Sequence, residues 1–219
     1  LEGLDEDVRV AFTRSLEAFK ELGATLVDVE LPHFDHAVAT YYILCTAEAS
    51  SNLARYDGVR YGARVEAPSL LKMYNATREA GFGAEVKRRI MLGTFVLRAS
   101  SYEEYYGRAM KVRTLIKRDY QAAFGQCDLI ASPTSPVPGF RIGERIADPL
   151  SMYLSDVFTI GANLAGLPGI SIPGGFSSAA KPLPIGLQLV GPTLGESLLF
   201  SAAAAYEANT GWHTKVAEL

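Results

Sequence analysis

The sequence is poor in the residues that build disulfide frameworks and zinc sites. Only two of its 219 residues are cysteine, Cys45 and Cys127, and only three are histidine, His33, His36 and His213. The two cysteines lie far apart in the sequence, and no histidine has a cysteine partner at the spacings typical of zinc sites. We therefore expect two free thiols, as in a cytoplasmic protein, and no metal site.

Long apolar runs and a strong excess of one charge are also missing. No run of about 18 uncharged apolar residues occurs, so we expect no segment that spans a membrane. The formal net charge is −3, which argues against a basic nucleic-acid-binding surface on this chain. Hydrophobic residues make up 48% and charged residues 21%, which is the composition of an ordinary globular protein.

The chain also lacks the motifs of common catalytic sites. It contains no glycine-rich phosphate loop and no Gly-x-Ser-x-Gly motif. Residues 174–178 look like a glycine–serine catalytic loop, but we interpret them as a turn between strands at Ile170 and Ile185. Because the residues themselves provide no nucleophile paired with a base, we assign no catalytic residue.

Helical and strand patterns alternate along the chain, which predicts an α/β fold. Apolar periodicity or a helix-favouring composition predicts helices at residues 5–22, 37–56, 69–78, 84–97, 101–124 and 194–210. Alternating or continuous apolar residues predict strands at residues 24–31, 128–132, 170–172 and 185–190. Since no internal repeat or low-complexity linker is present, we expect residues 1–219 to belong to one domain.

The most informative stretch is residues 148–173, with the sequence DPLSMYLSDVFTIGANLAGLPGISIP. Val157, Ile160 and Leu164 recur there at helical spacing. Asp156 opens this apolar part, and the residues leave two interpretations of it open. Its carboxylate can cap the helix or lie in the first turn, or it can be a partly buried anion that binds a cationic ligand group.

The helix predicted at residues 84–97 begins with a cluster of charges, Glu85, Lys87, Arg88 and Arg89. Three consecutive basic residues cannot share one face of a helix. Either Lys87 and Arg88 face solvent while Arg89 turns inward, or the arrangement is reversed. A solvated charge cluster is the ordinary outcome for such a run.

Two adjacent tyrosines, Tyr41 and Tyr42, lie in the helix predicted at residues 37–56. Neighbouring side chains on a helix point about 100° apart, so at most one of them faces a given pocket. Such tyrosines usually lie half-buried in the core and contribute to packing.

Four segments together resemble the amidase-signature family. They are SSNLARYDGVRYG from Ser50, GFGAEVKRRIMLGTF from Gly81, YYGRAMKVRTLIKRDY from Tyr105 and the stretch 148–173. The last segment, with PLPIGLQLVGP, is shared broadly across amidases. The first two are particular to the A subunits of glutamyl-tRNA(Gln)/aspartyl-tRNA(Asn) amidotransferases. The resemblance covers essentially the whole chain and implies an α/β fold with a mixed sheet flanked by helices.

The family's catalysis uses a Ser-Ser-Lys arrangement, and no position of this sequence matches it. The resemblance therefore implies that residues 1–219 are the C-terminal portion of a single amidase domain, without the catalytic N-terminal portion. What it does place here is glutamine recognition, on Arg89 in EVKRRI, Asp156 in YLSDVFT and Tyr41 in TYYI. An arginine fork suits the α-carboxylate of glutamine, and a carboxylate complements its α-ammonium group.

The resemblance also implies partners. Ammonia would pass to a B subunit, which activates misacylated tRNA with ATP and Mg²⁺, while a small C subunit braces the pair. ATP, Mg²⁺ and tRNA would then bind elsewhere in the complex, and no cofactor is expected on this chain. Two alternatives stay open: a fragment of a general amidase of the same family, and a non-catalytic piece that only packs against another polypeptide.

Overall fold

A computed structural model describes residues 3–144, 152 and 154–216 of the chain. The chain divides into two compact units, the first formed by Leu1–Val38 and Arg113–Leu219 and the second by Ala39–Val112. The expectation that all 219 residues belong to one amidase domain stays a prediction.

Most of the predicted helices are present, with ends shifted by a few residues. The helices of the described residues are α1 (Glu6–Glu21), α2 (Ala37–Leu53), α3 (Leu70–Gly81), α4 (Ala84–Val96), α5 (Arg108–Ala123), α6 (Val157–Ala165) and α7 (Glu196–Thr210). None of them combines the length and the apolar character needed to cross a membrane. Asp5 caps α1, since its Oδ1 accepts a hydrogen bond of 2.9 Å from the Asp7 amide.

The helix predicted at residues 101–124 is not uniform. It begins with a π-helical turn at Glu103–Gly107, in which the Gly107 amide donates to the Tyr102 carbonyl at 2.9 Å, and continues as α5. Farther along, the Arg113 Nε of α5 donates to the Leu164 carbonyl at 2.8 Å. This bond satisfies one of the carbonyls left without a helical partner at the end of α6.

The first unit contains a three-stranded antiparallel sheet. In chain order its strands are β1 (Ile130–Pro133), β2 (Gly169–Phe176) and β3 (Pro184–Val190). Their order in the sheet is β1-β3-β2, and both pairings with the central β3 are antiparallel. The α/β class is thus confirmed, whereas the sheet expected to be mixed is antiparallel throughout the part of the chain that the structure describes.

Helices α1 and α7 cover the sheet with apolar side chains. The buried cluster consists of Ala18, Ile172, Leu187, Leu189, Leu199, Ala203 and Tyr206. Ile172, Leu187 and Leu189 come from β2 and β3, and their side chains alternate with Ser171 and Gln188 along the strands. The period of two therefore places the apolar residues on the face that meets the helices.

The strand predicted at residues 24–31 is wrong. In the structure this segment is irregular and mostly exposed, and Val27 is 49% exposed. Alternation of apolar residues marks one face, but a strand also needs a hydrogen-bonded neighbour. None of the three described strands pairs with this segment.

The turn predicted at residues 174–178 begins later than expected. Gly174 and Gly175 lie inside β2, which continues to Phe176 with a shift of register between Pro173 and Gly175. Gly175 adopts a φ of 146°, which glycine tolerates and most residues do not. The two glycines therefore provide a bulge within the strand, and the connection to β3 starts at Ser177, whose Oγ accepts from the Leu183 amide at 2.9 Å.

Candidate functional site

At the start of α4, two arginines donate hydrogen bonds to one carboxylate. Glu85 accepts hydrogen bonds from Arg88 Nη1 at 2.6 Å and from Arg89 Nε at 3.0 Å. The arginine side chains differ in exposure, 52% for Arg88 and 25% for Arg89. Of the two arrangements that the sequence left open, the structure has the one in which Arg89 turns inward and Arg88 faces solvent, while Lys87 is half-buried.

Arg89 reaches two side chains of α2. Its Nη1 donates to the Tyr41 hydroxyl oxygen at 3.2 Å and contacts Cys45 Sγ at 3.7 Å. Tyr41 and Cys45 are four residues apart and therefore lie on the same face of α2. Two of the three residues that the resemblance placed in a site, Arg89 and Tyr41, are thus in direct contact within the second unit.

A close approach of the two helices makes this contact possible. Gly93 lies one turn after Arg89 in α4, and a β-carbon placed on it would collide with the Thr46 carbonyl of α2 and lie 2.7 Å from Ser50 Cβ. One residue later, Thr94 Oγ1 and Ser50 Oγ are hydrogen-bonded at 3.0 Å. The absence of a side chain at Gly93 lets the backbones meet, and this proximity brings Arg89 to the face of α2.

The guanidinium of Arg89 keeps its positive charge. Its partial burial by itself lowers the pKa, but the hydrogen bonds with Glu85 and Tyr41 outweigh that effect and hold the pKa above its ordinary value. Glu85 is thus shared by two arginines, Arg88 and Arg89. The planar guanidinium of an arginine is suited to bind an anion with planar geometry, such as a carboxylate.

Asp156, the third predicted residue, belongs to the first unit and is exposed. It precedes α6 at the N-cap position, but its side chain makes no capping hydrogen bond. Instead its backbone carbonyl accepts from the amides of Thr159 at 3.0 Å and Ile160 at 3.1 Å. Asp156 is thus exposed at the N-cap position and its side chain does not cap α6, while its role in binding a cationic ligand group stays a prediction.

Two neighbours of Arg89 were not singled out by the sequence as members of a site. Glu85 lies four residues before Arg89, and Cys45 lies four residues after Tyr41. An acidic residue four positions before an arginine is a recognised helical pair, so that spacing could have identified Glu85. Nothing local indicates Cys45, because its role depends on which face of α2 meets α4.

The described residues contain no group of three or more histidine, cysteine, aspartate or glutamate side chains that could hold a metal ion. Cys45 and Cys127 are both free thiols and half-buried. For Cys127, burial raises the pKa, and the nearby charge of Asp128 adds to this effect.

Comparison with known proteins gives a consistent result. The A subunit of glutamyl-tRNA(Gln) amidotransferase from Geotalea daltonii is 56% identical over 220 residues, covering 100% of this chain and 45% of the relative. The corresponding protein from Myxococcus xanthus is 58% identical over 207 residues, covering 94% of this chain and 42% of the relative. The chain therefore spans less than half the length of these curated relatives.

Solved structures agree on the fold. The crystal structure of the A subunit of glutamyl-tRNA(Gln) amidotransferase from Thermotoga maritima has a TM-score of 0.70 and 44% identity, and the match covers 95% of this chain and 40% of that one. A 6-aminohexanoate cyclic dimer hydrolase has a TM-score of 0.71 at 19% identity over 97% of this chain and 43% of its own, so it supports the fold alone. The model of the family named Amidase matches residues 1–200. This chain therefore belongs to the Amidase family.

Proposed function

We propose that this chain is the glutamine-binding portion of the glutaminase subunit of a tRNA-dependent amidotransferase. That enzyme would release ammonia from glutamine to convert Glu-tRNA(Gln) to Gln-tRNA(Gln), or Asp-tRNA(Asn) to Asn-tRNA(Asn). Relatives that are 54–58% identical over nearly the whole chain carry the name of such a subunit. The observation that carries the glutamine-binding role is the contact between the inward-turned Arg89 and the Tyr41 hydroxyl.

Arg89 and Tyr41 would bind the α-carboxylate of glutamine. A guanidinium offers two parallel N–H donors, and a carboxylate accepts both at once. The Tyr41 oxygen accepts a hydrogen bond from Arg89, which leaves its own proton to donate to the same carboxylate. Because the guanidinium is already held by Glu85 and by α2, less side-chain freedom is lost when the ligand binds.

Asp156 would bind the α-ammonium group of glutamine. Its carboxylate makes no capping bond with α6, so it is not committed to the helix that it precedes. A ligand that lacks the carboxylate would lose the contact with Arg89, and one that lacks the ammonium group would lose the contact with Asp156. Recognition of both charges would thus distinguish glutamine from simple amides.

The bond-breaking residues would lie outside this chain. A serine of the Ser-Ser-Lys arrangement would attack the side-chain amide carbon of glutamine, ammonia would leave, and water would cleave the resulting acyl-enzyme ester. The ammonia would pass to a B subunit that uses ATP and Mg²⁺, with a small C subunit bracing the complex. The complex would meet tRNA in the cytoplasm, and this chain would hold no cofactor.

The test compares two arginine variants in the complete subunit that contains this chain. We expect Arg89→Ala to raise KM for glutamine by about 30- to 100-fold, the effect of losing a charge-assisted pair of hydrogen bonds. KM for propionamide, a small uncharged amide, should stay nearly unchanged. Arg88→Ala is the matched control, because Arg88 also pairs with Glu85 but is 52% exposed, and it should leave both KM values close to wild type.

Other results would favour the alternatives. Equal losses for glutamine and propionamide in Arg89→Ala would indicate a general amidase of the same family. Absence of glutaminase activity in the complete wild-type protein would favour a packing role. The isolated 219-residue chain should show no turnover, and clear activity would contradict the assignment of the catalytic residues to another part of the protein.

A further inference from the structure

An amide side chain lies in the middle of an otherwise apolar strand. Gln188 of β3 is flanked by Leu187 and Leu189, and only 7% of Gln188 is exposed. In the sheet it stands opposite Ser132 of β1 and Ser171 of β2, so these three side chains form a polar row across the face opposite the apolar cluster. A buried amide is costly unless it is hydrogen-bonded, so this position calls for an explanation.

Both donors of the Gln188 amide are used. Its Nε2 donates to Ser132 Oγ at 3.0 Å and to the backbone carbonyl of Phe158 at 2.9 Å. An amide nitrogen carries two hydrogens, so these two bonds account for its donor capacity. The first bond stays within the sheet, whereas the second connects the sheet to the first turn of α6.

The contact with Phe158 fixes the backbone next to Asp156. Phe158 follows Asp156 by two residues, and the Asp156 carbonyl accepts from the amides of Thr159 and Ile160 and from Thr159 Oγ1 at 2.9 Å. The Asp156 carboxylate itself makes no capping bond. The backbone of this turn therefore sets the direction of the Asp156 Cα–Cβ bond, and Gln188 is the sheet residue that holds the turn.

We propose that Gln188 is a positioning residue for Asp156, which it holds in the direction required to bind the α-ammonium group of an amino-acid substrate. This inference rests on the proposed function, since it gives Asp156 a ligand. It gives a role to the buried amide of Gln188, whose two donors join the sheet to the first turn of α6. Gln188 acts through the Phe158 carbonyl and does not touch the substrate.

The experiment measures a ratio of two substrates in the complete subunit. Glutaramate is glutamine without its α-amino group, so it keeps the amide and the carboxylate but cannot bind Asp156. Gln188→Met preserves the length of the side chain and removes both hydrogen bonds. We expect kcat/KM for glutamine to fall about tenfold through KM, and kcat/KM for glutaramate to change less than about twofold. A merely structural role would lower both values equally, and that result would overturn the proposal.

Three further variants make the outcome decisive. Asp156→Asn should lose the preference for glutamine over glutaramate; if it does not, the proposed function itself fails. If Asp156→Asn loses the preference and Gln188→Met keeps it, only the positioning role fails. Ser132→Ala removes the hydrogen-bond partner of Gln188 within the sheet and should keep the preference for glutamine over glutaramate. If Ser132→Ala loses as much of this preference as Gln188→Met, the assignment of the positioning role to the contact with Phe158 is contradicted. If Gln188→Met does not fold, Gln188→Asn tests the same contact, because its amide is one methylene too short to reach Phe158.

Discussion

The close contact of α2 and α4 at Gly93 gives the sharpest prediction about stability. Replacing Gly93 with alanine has two opposing effects. Alanine favours the helix by about 1 kcal/mol over glycine in a helix interior. The added methyl group, however, would collide with the Thr46 carbonyl and lie 2.5 Å from its carbon and 2.7 Å from Ser50 Cβ.

The collision should be the larger effect. Overpacking typically costs about 1–3 kcal/mol, and the upper end applies here because backbone atoms of α2 cannot rotate away as a side chain would. Subtracting the gain in helix propensity leaves a net destabilisation of about 2 kcal/mol. For a chain of this length that corresponds to a decrease in Tm of about 4–8 °C. Since Arg89 lies one turn away, separation of the helices should also raise KM for glutamine in the complete subunit.

Urea unfolding followed by far-UV circular dichroism measures this change. Gly81→Ala is the matched control within the same unit, because a β-carbon at the last residue of α3 would have no heavy atom within 4 Å. We expect the control to be neutral or to stabilise by up to about 1 kcal/mol. If Gly93→Ala were as stable as the wild type, or if both variants lost the same free energy, the argument from close packing would be refuted.

Two further predictions concern the first unit. Arg113→Met should lower the free energy of unfolding by about 1–3 kcal/mol, because it removes the charged donor to the Leu164 carbonyl, and urea unfolding measures this loss. Burial raises the pKa of Tyr120 to about 12 and also raises the pKa of Tyr206. At high pH the folded state therefore favours the neutral form of both phenols. The resulting stabilisation is complete below about pH 10, near the unfolded pKa, and is lost as the pH rises toward about 12. Urea midpoints between about pH 9 and 11.5 should therefore fall, by up to about 1.4 kcal/mol per pH unit for Tyr120, and Tyr120→Phe should flatten the decrease.

Local signals in the sequence predicted local structure well. The helix predicted at residues 5–22 is found as Glu6–Glu21 with Asp5 as its cap, since periodicity and capping both act within a few residues. The strand predicted at residues 24–31 is wrong because pairing depends on distant segments, and alternation alone cannot supply a neighbour. For the same reason β2 could be placed at Ile170, while its extension through Gly174 and Gly175 could not.

The candidate site shows the same division between local and distant causes. Helical spacing establishes that Arg88 and Arg89 face different directions, but not which of them turns inward. That choice depends on where α2 meets α4, and the contact involves Thr46 and Gly93, which are 47 residues apart in the sequence. The resemblance to amidases named Arg89 and Tyr41, and the structure brings them within hydrogen-bonding distance. Asp156 is exposed and belongs to the first unit. No local pattern in the sequence indicated that exposure.

The contacts of Arg89 bear on how this paired arginine would bind an anion in the proposed function. Glu85 accepts from both Arg88 and Arg89, so Arg89 shares this carboxylate with its neighbour. The Arg89 side chain is partly enclosed, where attraction to a carboxylate is stronger than in water. An arginine free in solvent would also lose side-chain entropy on binding, whereas Glu85 and Tyr41 already restrain this one. In the proposed function, the ion pair within α4 would therefore restrain the guanidinium in the position in which it receives a carboxylate.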